Sequence, residues 1–125
     1  MDKNHFGEGA TVIWTDKKRI LGMPISFTRY SLVTNGDWTK LFIKTGVLST
    51  VIDEVNLFRI YDIQCFQSLG QKMFGVGSIT LYSKDITTPV ISLINIKEPY
   101  KIRNMLAQKI EQTRTEKGVR IGEFY

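Results

Sequence analysis

The alternation of apolar and polar residues between residues 10 and 96 predicts a series of short β-strands. Runs rich in Val, Ile, Thr, Phe and Tyr are separated by Gly, Asn, Asp and Pro, which favour turns. The predicted strands cover residues 11–15, 27–33, 38–44, 47–55, 57–66, 77–83 and 90–96, and the fifth strand is bent. A loop or a single helical turn is expected at residues 67–75. The connections are too short for parallel crossovers, so about seven antiparallel strands are expected.

The period of the pattern changes at Pro99. From there the apolar residues recur at helical spacing, at Ile102, Met105, Leu106 and Ile110. Pro99 suits the first helical position and Gly118 suits a helix end, so an amphipathic helix is predicted over about residues 99–116, followed by a tail at 117–125. The apolar stripe of this helix has to cover other apolar groups, most simply those at the open end of a curled sheet. The fold expected is therefore mainly β, of the α+β class.

Length and composition fit one soluble domain spanning residues 1–125. The chain is 42% hydrophobic and 23% charged, which is close to average globular usage. Its single cysteine excludes an internal disulfide framework, so a cytoplasmic location is expected, with the inner face of the membrane as an alternative. The first ten residues lack the apolar stretch of a signal peptide. The longest apolar window, residues 20–27, is far shorter than the roughly 20 residues that a membrane span needs.

The net charge of +5 is concentrated in two segments. Residues 16–44 hold six Lys or Arg against two Asp, and residues 97–125 hold seven against four Glu. Such asymmetry can attract anionic lipid headgroups or other phosphate-bearing partners. The candidate ligand-binding cations are Lys17, Lys18, Arg19, Arg29, Lys40 and Lys44. A solvated basic face is the alternative, because no block of five like charges occurs.

No combination of residues in the sequence indicates an active site. His5 and Cys65 are the only residues of their types, and a zinc site needs four nitrogen, sulfur or oxygen ligands. Cys65 has no neighbouring base and is expected to act as a small buried hydrophobe. The adjacent Asp53 and Glu54 would point to opposite faces of a strand. We therefore expect no enzyme activity, no cofactor and no metal.

Nucleic acid is not an expected partner either. Residues 72–79 faintly resemble the aromatic submotif of an RNA-recognition sheet. Met73 and Val76 stand where that submotif has a Gly and a second aromatic residue, so the stacking platform is missing.

From residue 12 to residue 114 the sequence resembles the bacterial pleckstrin-homology (PH) domain family. The resemblance rests on YSLVT at 30–34, KTGVL at 44–48, LFRIYDI at 57–63, QS at 67–68, FGVGSI at 74–79, SKD at 83–85, Pro89 and IKEP at 96–99. Each of these elements alone is a weak sign of the family, but their order and spacing together are specific to it. The turn at residues 35–41 departs from the family, which usually has a shorter segment with a basic residue. Nothing corresponds to the transmembrane helices of membrane-bound relatives, so the chain resembles a free-standing member.

The resemblance implies a PH-like barrel of about seven antiparallel strands capped by a C-terminal α-helix. PH folds bind peptides, proteins or phosphorylated lipid heads and are not enzymes, and isolated bacterial members resemble proteins that assemble into rings. Several motif residues are expected to be structural rather than ligand contacts: Tyr30, Gly46, Arg59, Asp62, Ser68, Gly75 and Gly77. The glycines suit turns or close backbone approach. Arg59 and Asp62 are expected to form a local pair if a bulge brings them to one face.

Two functions remain open on this basis. The first is a non-catalytic module that self-associates as a homo-oligomer or binds a protein partner, through an exposed strand edge or through Leu69, Met73 and Phe74. The alternative is peripheral binding to an anionic membrane or a phospholipid headgroup through the basic loop that begins at Lys17. Liposome binding discriminates between the two functions.

Overall fold

A computed structural model describes residue 6 and residues 9–23 and 25–122, with side chains described as far as residue 117. Strands β1 to β4 are Thr11–Lys17, Arg29–Thr34, Thr39–Thr45 and Val51–Asn56. A short 3₁₀ helix, Leu57–Arg59, follows β4. Strand β5 (Ile60–Phe66), helix α1 (Leu69–Met73), strand β6 (Val76–Ser83), strand β7 (Val90–Lys97) and helix α2 (Pro99–Gly122) complete the chain order.

The strands form two antiparallel sheets in simple sequence order. The first sheet has the order β1-β2-β3-β4 and the second has the order β5-β6-β7. Every pairing within the sheets is antiparallel. The predicted seven antiparallel strands and C-terminal helix are thus confirmed.

The main core lies between the two sheets and α2. The inward-facing side chains Leu41 of β3, Leu81 of β6 and Leu93 of β7 are fully buried. From α2, Leu106 is fully buried in the same cluster, with Ile102 and Ile110 on either side of it. These helix residues belong to the apolar stripe seen in the sequence. The stripe therefore covers the sheets, as its spacing predicts.

Tyr30 connects the two sheets by a hydrogen bond through the core. Its ring is buried, and its hydroxyl accepts a hydrogen bond of 3.1 Å from the backbone N–H of Ile94 on β7. Burial raises the pKa of the Tyr30 hydroxyl, and the bond from Ile94 offsets part of that effect. Because a buried N–H without a partner costs about 1–3 kcal/mol, this bond favours one docking of the sheets.

A second, smaller cluster covers the outer face of the first sheet. Phe42 shares the outer face of β3 with Lys40 and Lys44, yet it is buried. Its ring centroid lies 4.7 Å from that of Phe6, in the segment that precedes β1. Val33, also on the outer face, is completely buried in the same cluster. Phe6 and Ala10, which precede β1, therefore pack on the outer face of the sheet, a contact that the alternation in β3 does not indicate.

Two local predictions are wrong, and others concern residues that the structure does not describe. Helix α2 continues to Gly122, so the end predicted at Gly118 and the tail at 117–122 are wrong. A glycine inside a helix costs only about 1 kcal/mol relative to Ala, and the residues on both sides of Gly118 are helical. Strand β4 begins at Val51 rather than at residue 47, because residues 46–50 form a loop. His5 and the final part of the tail, residues 123–125, lie outside the described residues.

The expected pair of Arg59 and Asp62 does not form. A bulge does separate Ile60 from Asp62, as that pairing would need. The guanidinium of Arg59 instead lies 5.7 Å from the ring centroid of Phe58. Within the part of the chain that the structure describes, no ion pair joins Arg59 to Asp62.

Candidate functional site

Three of the candidate cations lie side by side on the first sheet. Lys17 of β1 is the direct partner of Arg29 on β2, and Arg29 is the direct partner of Lys44 on β3. Direct cross-strand partners share a face, and Tyr30, the neighbour of Arg29, faces the core. Lys17, Arg29 and Lys44 therefore form a row on the outer face, which we call the cation row.

The cation row has no local counter-charge. Among residues 9–23 and 25–117, no carboxylate lies within ion-pair distance of its three members. The guanidinium of Arg29 donates to the hydroxyl of Thr15, at 3.3 Å. Like charges directly opposite each other destabilise a sheet by a few tenths to about 1 kcal/mol per pair. The row therefore costs stability in the isolated molecule, and an external anion would offset that cost.

The remaining candidate cations have other surroundings. Arg19 pairs with Asp16 at 3.3 Å, and its guanidinium also donates to the carbonyl oxygen of Gly22. Lys40 pairs with Glu54 at 3.2 Å. Arg19 thereby fixes the path of the β1–β2 loop, and the charge of Lys40 is largely offset. Lys18 follows Lys17 directly at the start of that loop, where its backbone N–H donates to the carbonyl oxygen of Thr28.

Two loops that expose apolar side chains extend from the same end of the sheet. Since β1 and β3 both end at the cation row, the β1–β2 loop (residues 18–28) and the β3–β4 loop (residues 46–50) project beyond it. We call these two segments the apolar loops. Their exposed large apolar residues are Ile20, Leu21, Met23, Ile25, Phe27, Val47 and Leu48. Grouped exposure of this kind marks an interaction surface.

Leu21 is both exposed and held in an unfavourable backbone conformation. Ile20 and Met23 exchange backbone hydrogen bonds of 2.9 and 3.0 Å, which closes a two-residue turn. Its central residues, Leu21 and Gly22, have φ values of 52° and 82°. Turns with two positive φ values favour Asn-Gly, and a left-handed conformation costs a residue such as Leu about 1–2 kcal/mol. Because Leu21 is 67% exposed, its side chain buries little surface in the fold to offset this cost.

Gly46 lies where the β3–β4 loop turns most sharply. Its φ is 113°, and a Cβ at this position would lie 1.8 Å from the carbonyl oxygen of Ser49. Only glycine fits, so Gly46 shapes the loop that presents Val47 and Leu48. Gly75 also has a positive φ, of 68°, but a Cβ there would meet no neighbour within 4 Å.

Helix α1 presents the other predicted interaction residues next to the β1–β2 loop. Ser68 begins the helix with a capping box, in which its hydroxyl accepts from the N–H of Gln71 and the Gln71 side chain accepts from the N–H of Ser68. Leu69 and Met73 are each 78% exposed, and Phe74 is 47% exposed. A Cβ at Gly22 would lie 3.5 Å from the Cβ of Phe74, the residue that follows α1, so Phe74 lies beside the β1–β2 loop.

The described residues offer no reactive cluster. No group of three or more His, Cys, Asp or Glu residues within them could hold a metal ion. Cys65 is half-buried against the main core, and this burial raises the pKa of its thiol. A thiol with a raised pKa is protonated near neutral pH and is a poor nucleophile.

The two sheets and the C-terminal helix define a PH-like fold. A family model described as "Bacterial PH domain" matches residues 19–110 of the 125-residue chain, so the protein belongs to that family. PH-type domains are generally non-catalytic. No curated protein matches the chain, and no solved structure matches it. None of the helices in the described part of the chain is long and apolar enough to cross a membrane.

Proposed function

We propose that this protein is a non-catalytic PH-like module that binds anionic membrane surfaces. One observation carries the proposal: the cation row and the apolar loops lie next to each other, at the same end of the first sheet. Anionic headgroups would supply the counter-charge that the row lacks. The exposed apolar side chains of the loops would enter the boundary between headgroups and acyl chains.

Two separate energies contribute to this binding. A Lys or Arg near an anionic bilayer surface is worth about 1 kcal/mol. Full burial of a leucine side chain is worth about 1.5–3 kcal/mol. The row therefore provides selectivity for anionic lipid, and the loops provide affinity that salt does not screen.

Co-sedimentation with vesicles tests the proposal. The chain is expected to bind vesicles of phosphatidylcholine mixed with phosphatidylglycerol, and to bind vesicles of phosphatidylcholine alone much more weakly. High salt should weaken the binding without abolishing it, because the apolar contribution is not electrostatic. Absence of binding to the anionic vesicles at low salt, or equal binding to both compositions, rejects the proposal.

The variant Leu21→Asn is expected to separate binding from stability. Asn tolerates a positive φ, so relief of strain should raise the free energy of unfolding by about 1 kcal/mol. Loss of an inserting leucine should weaken binding to anionic vesicles by roughly tenfold. Denaturant unfolding and co-sedimentation measure the two effects.

Ile86→Asn is the matched control for Leu21→Asn. Ile86 is also highly exposed, but it lies in the β6–β7 loop. In that loop the backbone N–H of Lys84 donates to the carbonyl oxygen of Arg59, which follows the end of β4 that is opposite the cation row. This variant should leave vesicle binding unchanged. Equal weakening by both variants would argue against insertion of the apolar loops.

Self-association or binding of a protein partner through Leu69, Met73 and Phe74 is a second candidate function. Helix α1 buries none of its own residues, so another chain could cover its apolar side chains. The free edge of β4 is less suited to self-pairing, because antiparallel pairing of two copies centred on Asp53 and Glu54 would set carboxylates opposite each other. If α1 mediates self-association, light scattering should give the unaltered protein a mass well above the 14.4 kDa of one chain. The variant Leu69→Ser/Met73→Ser should have a lower mass. A constant monomer mass up to high concentration excludes self-association.

A further inference from the structure

A cleft lies at the end of the first sheet opposite the cation row. Helix α2 reaches past the core there: within residues 99–117 its last fully packed apolar side chain is Ile110, yet the helix runs to Gly122. The overhanging turns face the β2–β3 turn and the end of β4, and about 490 Å³ of space remains between them. This volume lies within the range of about 300–1,000 Å³ that is typical of small-molecule sites.

The cleft stays open because one wall is made of short side chains that bond to each other. The hydroxyl of Thr39 donates to that of Thr34 at 3.1 Å, and Thr34 donates to the carbonyl oxygen of Trp38 at 3.0 Å. Gly36 adds no side chain at the turn. These groups are satisfied and do not reach across to α2.

Other groups in the cleft have unused hydrogen-bonding capacity. The side chains of Asn56, Lys109 and Gln112 line the space. Within the described part of the chain none of the three makes a side-chain hydrogen bond or an ion pair. Asn56 and Lys109 are also half-buried, so their polar atoms gain more from a ligand than fully solvated groups would.

The charges of the cleft are arranged with the positive ones inside. The three lysines of the lining are half-buried: Lys109, Lys117 and Lys40, of which Lys40 is paired with Glu54. The two carboxylates of the lining, Asp37 and Glu116, are exposed. The ammonium of Lys117 lies 4.9 Å from the ring centroid of Phe58 and has no carboxylate partner within residues 9–23 and 25–117. An anionic group would therefore meet two cations without ion-pair partners in the interior of the site.

Two aromatic rings give the site an apolar surface as well. Trp38 and Phe58 are half-buried in the lining, each with one lysine ammonium near its ring: Lys40 lies 4.8 Å from the Trp38 centroid and Lys117 lies 4.9 Å from the Phe58 centroid. Ile13 contributes a third apolar group that also packs against the main core. Flat aromatic surfaces favour flat apolar ligands by stacking or edge contacts. The lining thus combines an aromatic wall, two interior cations and two free amides.

We propose that this cleft is a binding site for a small organic anion with a flat apolar body. The carboxylate, sulfonate or phosphate of the ligand binds Lys109 and Lys117, and its apolar body packs against Trp38 and Phe58. Asn56 and Gln112 donate and accept the remaining hydrogen bonds. This site is separate from the membrane-binding surface, because the length of the first sheet lies between them.

Titration of the full chain with naphthalene-2-sulfonate, followed by amide NMR, tests this site. Saturable shifts are expected at the Trp38 indole, Asn56 and Gln112. The neutral 2-naphthalenemethanol should bind at least fivefold more weakly. The double variant Lys109→Gln/Lys117→Gln should raise the dissociation constant for the sulfonate at least fivefold.

The control Lys72→Gln/Lys84→Gln removes the same charge from exposed positions outside the cleft and should leave that constant unchanged. The backbone spectra of both double variants show whether each remains folded. No saturation at low millimolar sulfonate, shifts confined to the apolar loops, or equal affinity for the neutral compound would overturn the proposal. So would unchanged affinity in a folded Lys109→Gln/Lys117→Gln variant. None of these outcomes bears on vesicle binding, which the other end of the sheet would carry.

Discussion

The triple variant Lys17→Gln/Arg29→Gln/Lys44→Gln is expected to bind anionic vesicles roughly 100-fold more weakly than the unaltered chain. Each cation near an anionic surface contributes about 1 kcal/mol, and about 1.4 kcal/mol corresponds to a factor of ten. The free energy of unfolding should stay equal or rise slightly, because three like charges on neighbouring strands are removed. Co-sedimentation across a range of lipid concentrations, with denaturant unfolding in parallel, measures both effects.

A second triple variant controls for net charge. Lys84→Gln/Lys101→Gln/Arg103→Gln removes the same three charges at positions away from the row. Its vesicle affinity should fall by less than about threefold, and its dependence on salt should remain close to that of the unaltered chain. If the control variant loses as much affinity as the row variant, the row has no special role and only net charge matters.

Replacement of Gly77 by Ala should produce the largest loss of stability among single changes at the glycines of the second sheet and α1. A Cβ at this position would lie 2.6 Å from Cγ and 2.8 Å from Cβ of Pro99, and 3.3 Å from the carbonyl oxygen of Phe66. The Pro99 ring is rigid and forms the first residue of α2, so either the helix or β6 has to shift. Overpacking of this kind costs about 1–3 kcal/mol, which corresponds to a fall in melting temperature of about 5–12 °C.

Gly70→Ala is the comparison for Gly77→Ala. Gly70 lies in α1, and a Cβ there would meet nothing within 4 Å. Because alanine favours helix more than glycine does, stability should be unchanged or higher by up to about 1 kcal/mol. Calorimetry measures the melting temperatures of both variants and of the unaltered chain. A Gly77→Ala protein as stable as the unaltered chain would show that α2 does not begin in close contact with β6.

The local pattern of apolar and polar residues explains why so much of the fold could be predicted from the sequence. Alternation located each strand within a few residues, and the spacing of Ile102, Leu106 and Ile110 identified the face of α2 that is buried. The burial of Phe42 could not be predicted from the pattern of β3, because it depends on Phe6, more than thirty residues away. A contact of that range leaves no trace in the period of a strand.

The candidate site was only partly predictable for the same reason. The sequence identifies six candidate cations within residues 16–44, but the register of β1, β2 and β3 decides that Lys17, Arg29 and Lys44 share one row. Registers depend on pairing over the whole sheet. The positive φ of Leu21 was also hidden, because leucine does not favour that conformation. The cleft depends on where α2 leaves the core, which the periodicity of the helix does not specify.

The strands of the first sheet determine the distance between the cleft and the cation row. Within β3, Thr39 lines the cleft and Lys44 of the cation row lies five residues further on, a separation of about 16 Å at roughly 3.3 Å per residue. A chain bound to a bilayer by the row would hold the cleft roughly two Debye lengths above the lipid, since that length is about 8 Å at physiological ionic strength. Lys109 and Lys117 would then experience only a small part of the surface potential, and an anionic solute could reach them with little repulsion from the lipid headgroups.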